Sequence, residues 1–593
     1  MRRTGWLAVA LLVGVVASSE HARMQTAPKI LFDHTHTFAE TAAYLAAVTK
    51  AYPAITRRHT IGKSFLGKDL LVLEITQRKT GEAATKPAYW IDGNLHAGEV
   101  FGGEATLNTI QTLITGYGTD ATLTHIVDTY AFYIMPKLNP DGGDHYIKPD
   151  GMRSVVRPFD EDGDGQLDED PPNDLNGDGY TTMMRVADPT GPMRTSPEDP
   201  RLMIAAAQGT DPAAWKGQWR VYSEGIDDDG DGQVNEDGIG GIDINRNFPE
   251  LWLPPPTSFN PGAYPLSEPE SRAVADYLMA LRNLSGSINY HMSGNVAVHP
   301  PSTLRVDPLT GAEEQPSFSD QQVYRRLGAK AIELNDTAKV QVFKVSGSSP
   351  ATSHGMIWGT MIDWGYYQLG IFSWIFEVGA LPGQKELFPS RGREIDRLRW
   401  SDENYGGKLF VQWQPFDHPQ LGKVEIGGFL GKVYDPRYKT YTSVMMLPGP
   451  QYERQLANHT KWHLYLISQS PLVRVSNLSA TGGEGGYFTV TADISNEGPL
   501  PTNVTEQALT ANLAKPVLAR ISVTGGTLVN PPATVSLGHL AGQGDASRSS
   551  GRATWVVRAG AGTPTVTVEA ISEKGGTRAR TVALKPTGAK GPF

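Results

Sequence analysis

Four short stretches of this chain carry residue types that suit one piece of chemistry. They are His96-Ala97-Gly98-Glu99, Asp243-Ile244-Asn245-Arg246-Asn247, His291, and Glu377 within Ile375-Phe376-Glu377-Val378. Two imidazoles and one carboxylate, from His96, His291 and Glu99, can hold a zinc ion and leave a coordination position for water, as a hydrolytic zinc requires. A further carboxylate beside such an ion, here Glu377, can act as the base that takes the water's proton. His96 and Glu99 are three residues apart, so in a turn or a first helical turn both reach one ion. A lone H-x-x-E arises easily by chance, so the reading depends on its surroundings.

Those surroundings read as an α/β protein. Residues 37–51 have helical spacing and residues 69–76 alternate like a strand. Residues 87–93 form a compact apolar strand that hands over to His96, and residues 103–115 then have helical periodicity. Residues 129–136, 285–290 and 372–376 read as further strands, the last two ending at His291 and Glu377. Polar residues converging at several strand ends match the crevice in which open α/β sheets place their sites. Beyond residue 472 the texture changes to short β-prone runs, at 487–494, 517–523, 553–559 and 565–571, which predict a sandwich of about immunoglobulin size. Residues 452–468 read as a helix joining it to the body.

From about residue 51 to 379 the chain resembles the M14 family of zinc carboxypeptidases, of funnelin type. The resemblance rests on Ala51-Tyr52-Pro53 with Ile61-Gly62-Lys63-Ser64, on Asn139-Pro140-Asp141-Gly142, and above all on Asp243-Ile244-Asn245-Arg246-Asn247-Phe248. Ser267-Glu268, His291-Met292-Ser293-Gly294 and Asp363-Trp364-Gly365-Tyr366 ahead of Glu377 complete it in the family's order. It implies zinc on His96, Glu99 and His291, with Glu377 as general base. Asn245 and Arg246 would grip a free C-terminal carboxylate through an amide beside a bidentate guanidinium. An arginine shortly after the Asn-Pro-Asp-Gly loop would stabilise the oxyanion. Arg153 and Arg157 both qualify, and Arg153 is preferred. Where the family's peptidases often carry a mobile capping tyrosine, this chain has His354-Gly355, so His354, or Tyr366 and Tyr367 from the other side, would supply that donor. Ile362, just before Asp363-Trp364, would favour apolar C-terminal side chains.

Three Asp- and Gly-rich stretches interrupt this pattern. Asp160, Asp162, Asp164 and Asp168 form the first, Asp174, Asn176 and Asp178 the second, and Asp227, Asp229, Asp231 and Asn235 the third. Oxygen ligands at alternate positions, with glycine for the sharp turn, are what a Ca²⁺ loop needs. Pro171, Arg185 and Gly238 stand where an EF-hand has its twelfth-position glutamate, so these are expected to be extracellular-type calcium loops on the active-site rim.

The 593 residues suffice for two or three domains, the net charge of −10 gives no sign of a nucleic-acid partner, and the lack of cysteine excludes disulfides and thiolate chemistry. Arg2 and Arg3 ahead of an apolar stretch at residues 6–17 read as an export signal within residues 1–25, which predicts a periplasmic or extracellular protein with no stable membrane span. The expected organisation is an α/β peptidase-like domain, its mixed twisted sheet flanked by helices, over 30–445 with a calcium-loop insertion at 158–241. A connecting helix at 446–471 and an all-β sandwich at 472–590 follow. The expected activity is zinc carboxypeptidase action on peptides with a free C-terminal carboxylate. The alternatives are a zinc amidase acting on cell-wall peptides and a calcium-dependent binding protein on a peptidase scaffold.

Overall fold

The structure is a computed structural model, and it describes residues 28–585 apart from 150, 152–153, 161–162, 207–216, 236, 293–295, 304, 307–312, 336–338, 343–356, 379–393, 448 and 531. The signal segment, Arg153, Asp162 and His354 therefore lie outside the described residues.

The first helix, α1 (Phe38–Ala51), starts where the sequence supplies a capping box. Thr37 Oγ1 accepts from Glu40 N and Glu40 answers the Thr37 backbone N–H, satisfying donors that a helix end leaves bare. Eight strands follow in one mixed sheet: β1 (Thr56–Lys63), β2 (Asp69–Ile75), β3 (Ala88–Asp92), β4 (Ala131–Met135), β5 (Leu284–Met292), β6 (Val296–His299), β7 (Lys339–Val342) and β8 (Phe372–Val378). Their spatial order is β1-β2-β4-β3-β5-β8-β6-β7. The central run β4-β3-β5-β8 is parallel, and the strands outside it bring in antiparallel pairings.

Helices cover both faces, so the central strands are apolar on both sides rather than alternating. Tyr89 and Ile91 of β3, Phe132 and Ile134 of β4, and Trp374 and Phe376 of β8 face a core shared with α1, α2 (Phe101–Gly116) and the connecting helix α7 (Pro450–Ser468). The alternate residues, such as Trp90 and Tyr133, face a second core with α4 (Pro269–Ala280), Ile244 and Phe248, and with Trp364 of α6 (Met361–Leu369). The body also contains α3 (Pro140–Tyr146) and α5 (Phe318–Asn335). Each fully buried large apolar side chain here adds roughly 1.5–3 kcal/mol.

The Asp-rich insertion is more than loops. Its strands Met183–Ala187, Met193–Thr195, Met203–Ala205 and Trp219–Ser223 join Phe410–His418 and Gly422–Phe429 in a six-stranded sheet. The partner strands follow Glu377 in sequence, and no local pattern in the insertion points to them. The Arg185 guanidinium lies 4.3 Å from the Trp219 ring centre and 4.4 Å from that of Trp413, and it is paired with Glu425. Beyond α7, two four-stranded antiparallel sheets enclose Trp555, Phe488 and Val568, which gives the expected all-β C-terminal unit.

Candidate active site

The loop leaving β3 has to turn sharply, and its residues are chosen for that. Asn94 sits in the left-handed region at φ 56°, a conformation asparagine tolerates better than most residues. Its Nδ2 donates to the carbonyls of His96 and Ala97, both at 2.9 Å. Its Oδ1 faces the buried Lys137 ammonium, which follows β4, at 3.4 Å. Burial lowers the Lys137 pKa from its ordinary value, an effect that Glu104 and Asp144 oppose. At the start of α2, a Cβ on Gly102 would lie 2.2 Å from the Tyr290 Cβ. Only glycine lets this helix sit so close to β5.

His96 and Glu99 are presented by that loop, and His291 and Glu377 by β5 and β8. The last two are register partners on adjacent parallel strands, so their side chains leave the same face of the sheet. Nδ1 of His96 and Nδ1 of His291 each lie 2.9 Å from Glu99 Oε2, and the two nitrogens are 3.0 Å apart. Three donor atoms from two elements thus converge on one point, with His96 and His291 each 2 % exposed. Burial alone would raise the Glu99 carboxyl, but the charge of His96 and His291 in their protonated forms holds it well below the usual carboxylate range.

The outer nitrogens explain why the inner ones keep their lone pairs. His96 Nε2 lies 2.9 Å from the fully buried Asp243 carboxylate, so Nε2–H is the donor and Nδ1 is unprotonated. Asp243 is itself held by the Asn245 N–H at 2.8 Å, in a short turn that opens the Asp-Ile-Asn-Arg-Asn motif. His291 Nε2 lies 2.6 Å from Asn289 Oδ1, which fixes the same tautomer. Two neutral imidazoles and a carboxylate, each turned to one point, fit a zinc ion by the chemistry of the donor set. Asp243 was legible only as part of a motif. Asn289, Asn94 and Lys137 carried no sequence signal, because each acts across a strand or loop boundary that spacing does not reveal.

Asn245 and Arg246, expected from the sequence to face a substrate carboxylate, follow Asp243 in the same short turn. Asn245 is buried, and its Oδ1 accepts from Met361 N at 3.0 Å. Arg246 Nη1 donates to the Asn245 carbonyl at 2.9 Å and lies 3.7 Å from Asp243 Oδ2. Arg157, by contrast, donates to Glu268 at 2.8 Å and stacks on Phe65 at 4.3 Å. Tyr366 is fully buried with its hydroxyl donating to Asp320 at 2.7 Å, so the core holds it away from any capping role. Ile362 packs with Val296, Val298 and Ile375 at the edge of β6 and β8.

In each of the three acidic loops the first aspartate folds back onto N–H groups a few residues on, the first and third loops in the same pattern and the second shifted by one residue. Asp160 accepts from Gly163 N and Gly165 N, Asp174 from Asp178 N and Gly179 N, and Asp227 from Gly230 N and Gly232 N. Carboxylates of Asp227, Asp229 and Asp231 gather within 4.8 Å of one another, as do those of Asp164, Glu169 and Asp229 across two loops. Burial, with Asp237 and Asp164 nearby, pushes the Glu169 carboxyl up to about 7. Asp168 is used differently, accepting from Phe159 N and Gly240 N. Asn176 accepts from Asp178 N and Asn235 donates to the Ser223 carbonyl. Buried Glu224 and Asp170 latch the second and third loops from beneath.

A family model described as zinc carboxypeptidase matches residues 41–397, more than half of the chain. A separate model, a domain of unknown function, matches residues 472–583. Carboxypeptidase D of Drosophila melanogaster is 22% identical over 448 residues, covering 70% of this chain and 25% of that protein. Carboxypeptidase M of Mus musculus is 37% identical over 108 residues, covering 18% of this chain and 24% of that protein. The chain thus spans a quarter or less of the length of either relative. Among solved structures, the carboxypeptidase A from Helicoverpa armigera aligns at 18% identity and a TM-score of 0.39, covering 65% of this chain and 74% of that one.

Proposed function

The chain belongs to the zinc carboxypeptidase family, and we propose that it removes the last residue from peptides bearing a free C-terminal carboxylate. The observation that carries this reading is the convergence of His96 Nδ1, His291 Nδ1 and Glu99 Oε2 within 2.9–3.0 Å of one another, with Glu377 in register beside His291. His96, Glu99 and His291 would hold a zinc ion, which when bound would supply Lewis-acid polarisation of the scissile carbonyl and acidify a water near neutral pH. Glu377 would take the proton of the attacking water and return it to the leaving amine. Asn245 and Arg246 hold the substrate's terminal carboxylate, which sets which bond meets the base. Because Arg157 is committed to Glu268, Arg153 is the arginine we assign to the oxyanion.

We read the acidic loops as Ca²⁺ sites that order the rim of the substrate funnel. Support comes from three Asp/Gly-rich loops of one sequence spacing and from carboxylates gathered across loops, an arrangement that a divalent cation relieves. Exchange into calcium-free, zinc-containing buffer is expected to raise protease sensitivity within residues 158–241, and unchanged sensitivity would refute the role. We also propose export through residues 1–25. Among the described residues no helix is long and apolar enough to cross a membrane.

The test of the catalytic reading is Glu377→Gln. Peptide hydrolysis is expected to fall about 10²–10⁴-fold, the usual worth of a general base, while zinc content stays at the wild-type level. A variant that keeps both zinc and activity would remove Glu377 from the reaction.

A further inference from the structure

The strand next to His291 ends in a buried carboxylate to which the reaction gives no task. Asp92, the last residue of β3, has no exposed surface and is the register partner of Asn289 on β5. Its Oδ2 accepts from the Trp90 indole N–H at 2.6 Å, and its Oδ1 accepts from Asn289 Nδ2. The other end of the Asn289 amide, Oδ1, meets His291 Nε2 at 2.6 Å.

We propose that Asp92 is a positioning residue that acts through Asn289 to fix the His291 tautomer, keeping the Nδ1 lone pair turned toward His96 and Glu99. The inference rests on the zinc reading above, and its argument is a count of donors and acceptors. A carboxylate has acceptors on both oxygens, so Asp92 satisfies Trp90 and Asn289 together. With its NH₂ group held by Asp92, Asn289 has only its carbonyl oxygen to offer His291. Nε2 must then carry the proton, and Nδ1 must not. Asn245 does not substitute for this. Its Oδ1 is taken by Met361 N, so its NH₂ group faces His291 Nε2 at 3.3 Å and presents a donor, farther away than the Asn289 acceptor.

Replacing the Asp92 carboxylate by an amide breaks the count. An amide has one acceptor oxygen for the two donors, so either its NH₂ meets the Trp90 N–H or Asn289 turns over. The turned Asn289 amide presents its NH₂ to His291 Nε2, which moves the ring proton to Nδ1 and removes a metal ligand.

The experiment measures zinc affinity of the full-length protein by competition with a fluorescent chelator at about pH 8.5, where Asp92 is a carboxylate even though burial raises it to about 7, alongside melting of the zinc-free forms. Asp92→Asn is expected to weaken zinc binding by about 10–100-fold, the range for partners that orient a liganding histidine. Trp90→Phe with Asp92→Asn frees the single oxygen for Asn289, so affinity is expected to return to that of Trp90→Phe alone even though stability falls. A merely structural role predicts further loss in the double variant. Asn289→Ala leaves the Trp90–Asp92 contact intact, tests the same link if Asp92→Asn does not fold, and is expected to weaken zinc in the same range. Zinc binding by Asp92→Asn as tight as wild type, or a double variant weaker than Asp92→Asn, overturns the proposal. Absence of zinc binding by the wild type overturns the zinc reading itself and this inference with it.

Discussion

Two histidines behind the catalytic strands should make this protein sensitive to acid. His459 and His463 of α7 are fully buried, and the Tyr290 hydroxyl lies 3.0 Å from His459 Nδ1 and 2.6 Å from His463 Nε2. His463 Nδ1 also meets Thr109 at 2.7 Å, and the His459 ring packs edge-on against Phe376 and Phe101. Tyr290 and Phe376 immediately precede His291 and Glu377, so this network supports both strands of the site. Burial pushes His459 down to about 3 from its ordinary 6.5, and burial together with His459 pushes His463 well down. The folded state binds these protons less readily than the unfolded chain. Their contribution to stability is therefore complete above 6.5 and is lost as pH falls below it. At pH 5 the unfolded value lies about 1.5 pH units higher, and each unit is worth ~1.36 kcal/mol, so His459 costs ~2 kcal/mol relative to pH 8. His463 acts in the same direction, and the His459 share alone is already a sizeable part of a typical folding free energy. Asp92 and Glu270 act in the opposite sense, because burial pushes their carboxyls up to about 7 and the folded state takes their protons first. A variant comparison subtracts such terms. Urea unfolding of zinc-free wild type and His459→Gln at pH 8 and pH 5 is expected to show the variant weaker at pH 8 by ~1–3 kcal/mol, the cost of a buried group left without its partner. Its further loss on going to pH 5 should be ~2 kcal/mol smaller than that of wild type. Equal pH-dependent losses would refute the reasoning.

Asp243→Asn removes the carboxylate that holds His96 Nε2. Zinc affinity by chelator competition is expected to fall about 10–100-fold. Arg246→Lys gives up the bidentate fork, and kcat/KM for free-acid peptides is expected to drop about 10–100-fold, as a lost charged hydrogen bond would dictate. Zinc content should not change. Gly102→Ala drives a methyl into Tyr290, and thermal melts should show a loss of about 1–3 kcal/mol or more.

Much of the peptidase body was legible because its strands are short apolar runs and its motifs sit where strands end. Residues 87–93 and 372–376 became β3 and β8, with His96 following the end of the first and Glu377 near the end of the second. The connecting helix and the long runs of the C-terminal sheets were equally plain in periodicity. The insertion's sheet was not, because Met183–Ala187 is completed by Gly422–Phe429, and a pairing across that distance leaves no local trace. The hydrogen-bond partners of His96 and His291 were hidden for a related reason. Asn289 reads as one polar residue in a buried strand until its register with Asp92 places the two side chains together. Tyr366 was misleading in the other direction, since a tyrosine beside Asp363-Trp364 suggests a donor toward the substrate and the fold turns it into the core against Asp320.

The central claim is removal of single residues from a free carboxyl end. The measurement that tests it most directly is mass spectrometry of paired peptides, identical except for a free or an amidated C-terminus, after incubation with the zinc-loaded protein. Stepwise shortening of the free-acid peptides alone is the predicted result, with Asn245 and Arg246 gripping a carboxylate that the amides lack. Cleavage of both forms alike, or of neither, would contradict the account.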